Sequence, residues 1–404
     1  MMTKTVVLVG SLDTKGQEFA FIKKLIEQEG LNTLVVDFGV MGQPLFEPDI
    51  KRAEVVQAAG GDLAYLASGD HKDEAMKTMA TGLTVVIRRL FDESKLDGII
   101  GMGGSGGTSI ATTGMRTLPV GVPKVMVSTV GGSDVSAYAG TKDITFMPSI
   151  VDVAGINSIS STIYANAAGA VAGMVKMEQP EMGEAKPLIT ASMFGNTTEA
   201  VDRARKMLEN SDYEVLVFHA TGTGGRTMES LITDGYIVGS LDITTTELAD
   251  EVCGGVFSAG PERGLAASRA GIPAVIVPGC VDMANFWGME TVPDKYKDRN
   301  LYAWNPNVTL MRTNVEENVR MGEMIAAAAN AATAPVTILL PLKGVSMLDS
   351  PGGRFWDPVV DRACYNTIKQ RVKADVPVIE LDYNVNDPEF ADKVAETLLE
   401  MLKT

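Results

Sequence analysis

The stretch Thr5-Val-Val-Leu-Val-Gly10 decides the fold class of this chain. It is a continuous apolar run rich in β-branched residues, which is typical of a strand buried on both faces. A polar loop, a helical pattern from Gly16 to Gly30 and a second apolar run, Thr33-Leu-Val-Val-Asp37, follow it. Strand, helix and strand in this order predict a parallel sheet that is covered by helices on both sides.

The same order of elements begins again near residue 187. Glu178–Pro187 is a polar segment that contains two prolines, and it is predicted to be a linker. Leu188-Ile-Thr-Ala-Ser192 then opens a second series of strand, loop and helix. The sequence therefore predicts two doubly wound, Rossmann-like α/β domains with parallel sheets, over residues 1–180 and 187–404, with a cleft between them.

The composition excludes several classes of protein. With 35 basic and 51 acidic side chains the net charge is −16, which argues against a broad basic face for nucleic acid. Three cysteines, far apart in the sequence, support neither a disulfide framework nor a cysteine-rich zinc site. The first residues are too short an apolar stretch for a signal peptide, and prolines interrupt the apolar segment Met324–Leu342. We expect a cytoplasmic protein with neither a nucleic-acid nor a membrane partner.

A glycine-rich loop follows the strand predicted at Asp97–Gly101 and precedes a predicted helix. Glycines at such a turn let several backbone N–H groups converge on an anion, and the positive end of the helix dipole adds to the attraction. The loop resembles both the dinucleotide fingerprint and the P-loop, but Gly107 stands where a P-loop has its lysine. We predict that the loop binds a phosphate or a nucleotide; the alternative is a turn that only allows tight packing. Its candidate binding residues are Gly103, Gly104, Ser105, Gly106, Gly107, Thr108 and Ser109.

Two neighbouring loops are predicted to border the same pocket, because the carboxyl ends of parallel strands share one edge of the sheet. The first loop carries Asp13, Thr14 and Lys15, which suit a phosphorylated ligand. The alternative for this loop is a helix start that Thr14 caps, with solvated charges. The second loop follows the strand predicted at Lys124–Ser128, and its candidates are Thr129, Gly131, Gly132 and Ser133.

The second half offers a different set of groups in His219-Ala-Thr-Gly-Thr-Gly-Gly-Arg-Thr227 and beyond. Arg226 supplies a fixed cation for a phosphate or carboxylate, and Arg263 is a second candidate anion clamp. His219 is a candidate general base, with Asp282 or Glu247 as the acid. Each of these residues has a purely structural role as its alternative. No spacing such as H-E-x-x-H supports a metal site.

Several spaced motifs together resemble the Tm-one-like family of bacterial and fungal proteins, which is similar to the ATP-binding region of the tomato mosaic virus resistance protein. The motifs are Gly10-Ser-Leu-Asp-Thr-Lys-Gly-x-Glu18, Lys124-Val-x-Val-Ser-Thr129, Ile150-Val-Asp-Val-Ala-Gly-Ile-Asn157, His219-Ala-Thr-Gly-x-Gly-Gly225 and Val308-Thr-Leu-Met-Arg-Thr313. The resemblance spans nearly the whole chain. It implies two α/β subdomains, ATP binding and self-association into a homo-oligomer, and it implies no particular reaction.

Two functions from different classes remain as hypotheses. The first is an ATP-binding protein that holds the phosphates on the loop from Gly103 to Ser109, with or without Mg²⁺. Because this loop has no P-loop lysine, slow or no turnover is expected. The alternative is a metabolic enzyme that acts on a phosphorylated or carboxylated small molecule in the cleft between the domains. The sequence therefore does not decide whether the chain is an enzyme. A third hypothesis is a binding module whose fold the nucleotide only stabilises.

Overall fold

The computed structural model describes residues 3–69, 71–178 and 185–403 and consists of two compact units, Met1–Glu181 and Met182–Thr404. Residues 179–184 of the predicted linker lie outside the described residues. Within the described ranges, no helix combines the length and the apolar character that a bilayer span requires. The two units are described in turn.

The first unit is built on five parallel strands in the order β2-β1-β3-β4-β5. The strands are β1 (Thr5–Gly10), β2 (Asn32–Asp37), β3 (Gly98–Gly103), β4 (Lys124–Ser128) and β5 (Thr145–Pro148). The helices are α1 (Leu12–Gln28), α2 (Arg52–Ala58), α3 (Leu63–Leu66), α4 (Lys72–Asp92), α5 (Ser105–Met115), α6 (Ser136–Ala139) and α7 (Ser158–Lys176). The parallel α/β fold that the sequence predicts is confirmed in this unit.

Both faces of this sheet are covered, as the unbroken apolar run of β1 requires. Val7 and Val9 pack into one buried cluster with residues of α4 and α5. Val6 and Leu8, which point to the opposite face, pack into another with residues of α1 and α7. Successive residues of one strand therefore pack against helices on opposite faces of the sheet.

The second unit contains six parallel strands in the order β14-β13-β9-β8-β6-β7. They are β6 (Leu188–Met193), β7 (Glu214–His219), β8 (Ile237–Thr244), β9 (Ala274–Gly279), β13 (Val336–Pro341) and β14 (Val378–Leu381). The helices are α8 (Thr198–Glu209), α9 (Thr223–Thr233), α10 (Thr246–Cys253), α11 (Ala266–Ala270), α12 (Val315–Asn330), α13 (Pro358–Arg371) and α14 (Pro388–Met401), with short 3-10 turns at Gly195–Thr197, Met289–Thr291 and Asp294–Tyr296. A doubly wound parallel sheet is therefore also present here.

A second, antiparallel sheet lies in this unit and was not predicted from the sequence. It consists of β10 (Met283–Phe286), β11 (Leu301–Asn305) and β12 (Val308–Arg312) in the order β10-β12-β11. The pairing of β11 with β12 shifts register between Ala303 and Asn305. This sheet is an insertion between β9 and β13 in the chain.

Candidate functional site

The candidate site of the first unit lies at the carboxyl edge of its sheet. The chain places β2 on one side of β1 and β3 on the other, so the winding direction reverses between β1 and β3. In open α/β sheets, ligands bind outside the strand ends at such a reversal. The loops that follow β1 and β3 begin after Gly10 and Gly103 and flank this point.

The turn from β3 to α5 is short and tightly packed. Gly104 is the N-cap of α5, and no side chain caps the helix there. A Cβ atom on Gly103 would lie only 3.1 Å from the Cα atom of Gly107. Glycine at position 103 therefore allows the first turn of the helix to lie directly against the end of the strand.

The backbone amides of this turn are open. Thr108 N donates to Gly104 O at 2.8 Å, which is the first helical hydrogen bond of α5. The preceding N–H groups, those of Gly104, Ser105, Gly106 and Gly107, have no acceptor in the described part of the chain. Such groups at the positive end of a helix dipole form an anion-binding site.

Two residues of the predicted loop have other contacts. Thr108 is fully buried, and its Oγ1 lies 2.7 Å from Oγ of Ser128, so that it joins α5 to the end of β4. Ser109 is exposed on α5, and its carbonyl oxygen accepts a hydrogen bond from the hydroxyl of Thr113. Thr108 therefore anchors the loop to the end of β4, and its buried hydroxyl is not accessible to a ligand.

The loop after β4 borders this turn, and most of its backbone amides already donate hydrogen bonds within the fold. Thr129 N donates to Gly103 O, Gly131 N to Ser128 O and Ser133 N to Val130 O, at 3.2, 3.1 and 3.0 Å. The hydroxyl of Thr129 lies 3.8 Å from the position of a Cβ on Gly104. Thr129 and Gly132 are exposed. This loop therefore offers the hydroxyl of Thr129 beside the open amides, whereas most of its amides bind within the fold.

The carboxylate of Asp13 is engaged within the fold. Its Oδ2 accepts from Met41 N and Gly42 N, both at 3.0 Å, and lies 3.6 Å from Nη1 of Arg52. Only 4% of the Asp13 side chain is exposed. Asp13 therefore fixes the loop that follows β2 and is not directed to solvent.

Thr14 and Lys15 lie in the first turns of α1. The helix begins at Leu12 after Ser11, so Thr14 is inside the helix and is not its N-cap. Thr14 is exposed and Lys15 is half-buried, with φ −126° and ψ 17°, which break the regular helix. Lys15 has no ion pair with any described residue. Of the three candidates in this loop, Thr14 and Lys15 are the ones with side chains open to a ligand.

The glycine loop of the second unit is already filled by a side chain of the protein. Oε1 of Glu247 accepts from Gly222 N at 2.7 Å and from Gly225 N at 3.0 Å. A Cβ on Gly225 would lie 2.1 Å from Oε2 of Glu247. The predicted anion site at His219–Thr227 thus holds an internal carboxylate.

Arg263 completes this closed arrangement and is fully buried. Its guanidinium donates to Glu247 at 2.6 Å and to both carboxylate oxygens of Asp242 at 2.6 and 2.7 Å. Burial by itself lowers the pKa of Arg263, but the charges of Asp242, Glu247 and Glu229 raise it well above its usual value. Neither Arg263 nor Glu247 is therefore open to a substrate as a clamp or an acid.

The three residues predicted to catalyse a reaction do not converge. His219 is exposed at the end of β7, and Arg226 donates to Ser258 O at 3.0 Å. Asp282 is fully buried after β9 and accepts from Oγ of Ser346 at 2.8 Å. Since β6 and β8 lie between β7 and β9, the two strand ends are about 14 Å apart at the usual strand spacing. His219 and Asp282 are therefore not brought together.

Asp282 belongs instead to a buried cluster of three carboxylates around Arg312. Nη2 of Arg312 lies 2.6 Å from Asp361 and 3.6 Å from Asp349. Burial raises the pKa of Asp282 to about 7 and that of Asp361 to about 8, and the charge of Asp349 adds to both effects. One guanidinium cannot neutralise three buried carboxylates, so the cluster holds protons near neutral pH. The sequence pointed to Asp282 as a candidate acid and to Arg312 within the motif Val308–Thr313, but not to their meeting in one cluster.

No group of three or more His, Cys, Asp or Glu side chains in the described ranges is arranged as a metal site. The fold is that of a Rossmann-like α/β protein, and in its first unit four backbone amides at the start of α5 have no acceptor among the described residues. The chain belongs to the uncharacterised protein family UPF0261: the N-terminal domain profile of the family matches residues 4–180, and the C-terminal one matches residues 186–402.

Proteins of this family match the chain over nearly its whole length. A UPF0261 protein of Clostridium tetani is 50% identical over 100% of both chains, and one of Rhizobium meliloti is 43% identical over 96% of this chain and 97% of its own. The ToMV resistance protein Tm-1(GCR237) of Solanum lycopersicum is 40% identical over 82% of this chain and 45% of its own. The predicted resemblance to the Tm-one-like family is thereby confirmed.

The chain has only a weak likeness to solved structures. A putative UDP-N-acetylglucosamine 2-epimerase from Listeria monocytogenes is 10% identical over 99% of this chain and 95% of its own, with a TM-score of 0.26. A likeness at this level carries no inference about function.

Proposed function

We propose that the chain binds ATP and that the phosphates bind at the start of α5. The observation that carries this proposal is the set of four unpartnered N–H groups, from Gly104 to Gly107, at a helix N-terminus on the carboxyl edge of the sheet. A polyphosphate supplies acceptors for these groups, and its negative charge is favoured by the helix dipole.

Neighbouring side chains supply the remaining interactions in this proposal. The hydroxyls of Ser105 and Thr129 are exposed beside the amides and act as donors to phosphate oxygens. Lys15 and a Mg²⁺ ion bound with the nucleotide offset part of the triphosphate charge. Because Gly107 replaces the P-loop lysine, we propose slow turnover or none.

The contrast between the two glycine loops favours the first unit as the nucleotide site. In the loop from His219 to Thr227, Glu247 occupies the amides and Arg263 neutralises it. An incoming phosphate would have to displace this buried carboxylate from Arg263, and it would bring further negative charge next to Asp242 and Glu229, which is costly in a buried site. The alternative of an enzyme that uses His219, Arg226 and Asp282 has no comparable support, because Asp282 is fully buried.

We also propose that the protein acts in the cytoplasm. Its three cysteines, Cys253, Cys280 and Cys364, are all buried as free thiols. Unpaired cysteines are compatible with a reducing compartment.

Calorimetric titration of the purified chain with ATP, with and without MgCl₂, tests the nucleotide site. Ser105→Asp places a carboxylate at the start of α5 and is expected to raise the Kd for ATP at least about tenfold through like-charge repulsion. The same substitution should stabilise the helix, because an acidic residue is favourable at a helix N-terminus.

Ser105→Asn is the matched control, because Asn is similar in size to Asp, carries no charge and keeps a donor in its amide, so its Kd should rise much less than that of Ser105→Asp. Absence of binding at millimolar ATP, or equal binding by Ser105→Asp, would contradict the proposal. Detection of ADP in a single-turnover experiment then distinguishes an ATPase from a protein that only binds the nucleotide.

A further inference from the structure

A pair of buried hydroxyl groups joins the two loops that border the open amides of the first unit. Thr108 lies in the first turn of α5, and Ser128 is the last residue of β4. Oγ1 of Thr108 and Oγ of Ser128 are 2.7 Å apart, the usual length of an O–H···O hydrogen bond, and both residues are fully buried. This bond therefore links the start of the helix to the end of the neighbouring strand.

Thr108 fixes the α5 side of the site. Thr108 N donates to Gly104 O at 2.8 Å and closes the first turn of the helix. The four open N–H groups, from Gly104 to Gly107, belong to the residues of this turn. A displacement of Thr108 therefore moves these donors with it, because the turn is one hydrogen-bonded ring.

Ser128 fixes the β4 side of the site. Its Oγ also accepts from Val130 N at 3.1 Å, so that its hydroxyl holds the chain beyond Thr129. The hydroxyl of Thr129 lies 3.8 Å from the position of a Cβ on Gly104. The bond between Thr108 and Ser128 therefore sets how far the hydroxyl of Thr129 lies from the open amides.

This hydrogen bond constrains geometry more than it stabilises the fold. A bond between neutral groups contributes little net free energy, because both groups give up hydrogen bonds to water, and two apolar side chains of the same shape can replace it almost without loss. An apolar pair has no preferred direction, whereas a hydrogen bond weakens steeply when its distance or angle changes. The polar pair therefore favours one placement of α5 against the loop after β4.

We propose that Thr108 and Ser128 are positioning residues of the phosphate site, which hold the amides of α5 and the hydroxyl of Thr129 at a fixed spacing for a phosphate group. Neither buried hydroxyl contacts the ligand; both act through the groups that do. Donors that are already in place increase affinity, because binding does not have to order them. This inference rests on the proposed function, since it concerns the affinity of the same site.

Thr108→Val tests this role, because valine keeps the shape of the side chain and removes the hydroxyl. Calorimetric titration with ATP should give a Kd about tenfold higher than that of the wild type. Thr108→Ser keeps the hydroxyl and should restore the Kd to within about twofold of the wild-type value. Ser128→Ala removes the same bond from the other side and should match Thr108→Val.

Thr112→Val is the matched control on the same helix. Thr112 is also fully buried, but its Oγ1 donates to Thr108 O at 2.8 Å within α5 and does not reach β4. The variant therefore loses a buried hydroxyl and keeps the bond between Thr108 and Ser128, so its Kd for ATP should stay at the wild-type value. Far-UV circular dichroism at the titration temperature checks that each variant is folded.

The double variant Thr108→Val/Ser128→Ala shows whether the two residues act through one bond. Both substitutions break the same interaction, so their effects on the Kd should not add, and the double variant should lose about tenfold, as each single variant does. Additive losses, an equal loss in Thr112→Val, or an unchanged Kd in Thr108→Val would overturn the positioning role while the nucleotide site stands. A wild type that binds no ATP at millimolar concentration would remove the nucleotide site and this role together.

Discussion

At the scale of single residues, Glu247 illustrates how one side chain closes a glycine loop. The carboxylate accepts from two glycine amides and from Arg263, and the residue has no exposed surface. The equivalent turn at the start of α5 has no such side chain among the described residues. The two glycine loops therefore differ in one carboxylate and its buried counter-ion, which engage the amides of the second loop only.

Glu247→Gln is expected to destabilise the second unit strongly. Asp242 still balances the charge of Arg263, but the amide nitrogen of Gln cannot accept, so either Nε of Arg263 or the N–H groups of Gly222 and Gly225 lose their buried acceptor, which typically costs about 1–3 kcal/mol. Chemical denaturation measures the change in the free energy of unfolding. Glu209→Gln breaks the exposed pair with Arg205 and should cost less than about 1 kcal/mol; equal losses in the two variants would refute the role given to Glu247.

The cluster around Arg312 makes stability depend on pH near neutrality. Burial raises the pKa of Asp282 to about 7 and that of Asp361 to about 8, whereas an aspartate in an unfolded chain has a pKa of about 3.9. The folded state therefore holds extra protons between these values. The resulting stabilisation is fully present below about pH 4 and is lost as the pH rises through about 7 to 8.

Asp282→Asn stays neutral at every pH and should flatten the fall in unfolding free energy between about pH 4 and 7. It removes both the titration of Asp282 and its effect on Asp349 and Asp361, which face the same guanidinium. Denaturant unfolding across this pH range measures the slope. Asp212→Asn, at a side chain that is 95% exposed, is the control; identical slopes in the wild type and Asp282→Asn would exclude the proposed titration.

Sequence patterns predicted the open turn from Gly103 to Ser109 but not which side chains would be engaged elsewhere. Glycines between a strand and a helix are a local signal, and they suffice to locate free amides. The partners of Asp13 lie in the loop after β2, and the partner of Gly222 is Glu247. Such pairings depend on how distant segments meet in the fold, which no local pattern contains.

At the scale of elements, the approach of α4 to α2 depends on a glycine. A Cβ at Gly82 would lie 1.8 Å from the carbonyl oxygen of Val55, so the two helices could not keep their distance. Gly82→Ala should therefore cost about 1–3 kcal/mol through overpacking. Gly169→Ala, in an open position on α7, should instead stabilise by about 0.5–1 kcal/mol. Thermal and denaturant unfolding of both variants measures these values, and a stabilised Gly82→Ala would contradict the close contact.

The parallel strands could be predicted because they are continuous β-branched runs that end in glycine or polar residues. The antiparallel sheet could not, because β10 (Met283–Phe286) and β11 (Leu301–Asn305) contain no β-branched residue. Their pairing comes from packing against the rest of the second unit, including Ala284 and Phe286 in its buried cluster. Tertiary contacts therefore decide this sheet, and local propensity does not.

At the scale of the whole molecule, each unit has its own covered sheet and its own buried clusters. We expect the fragments Met1–Glu181 and Met182–Thr404 to fold separately. Circular dichroism should show a cooperative thermal transition for each fragment, and ATP binding should remain with the first. A fragment without a cooperative transition would show that its core is insufficient by itself.

The strand order of the second unit also has a consequence for synthesis on the ribosome. All strands of the first sheet are available once β5 has emerged. In the second sheet, β9 pairs with β13, and β13 pairs with β14; both of these strands are synthesised near the end of the chain. Until then the nascent second sheet has an unpaired edge of buried, apolar residues. Such edges are prone to intermolecular pairing, so slow translation or truncation after β9 should promote aggregation, whereas truncation after the first unit should not.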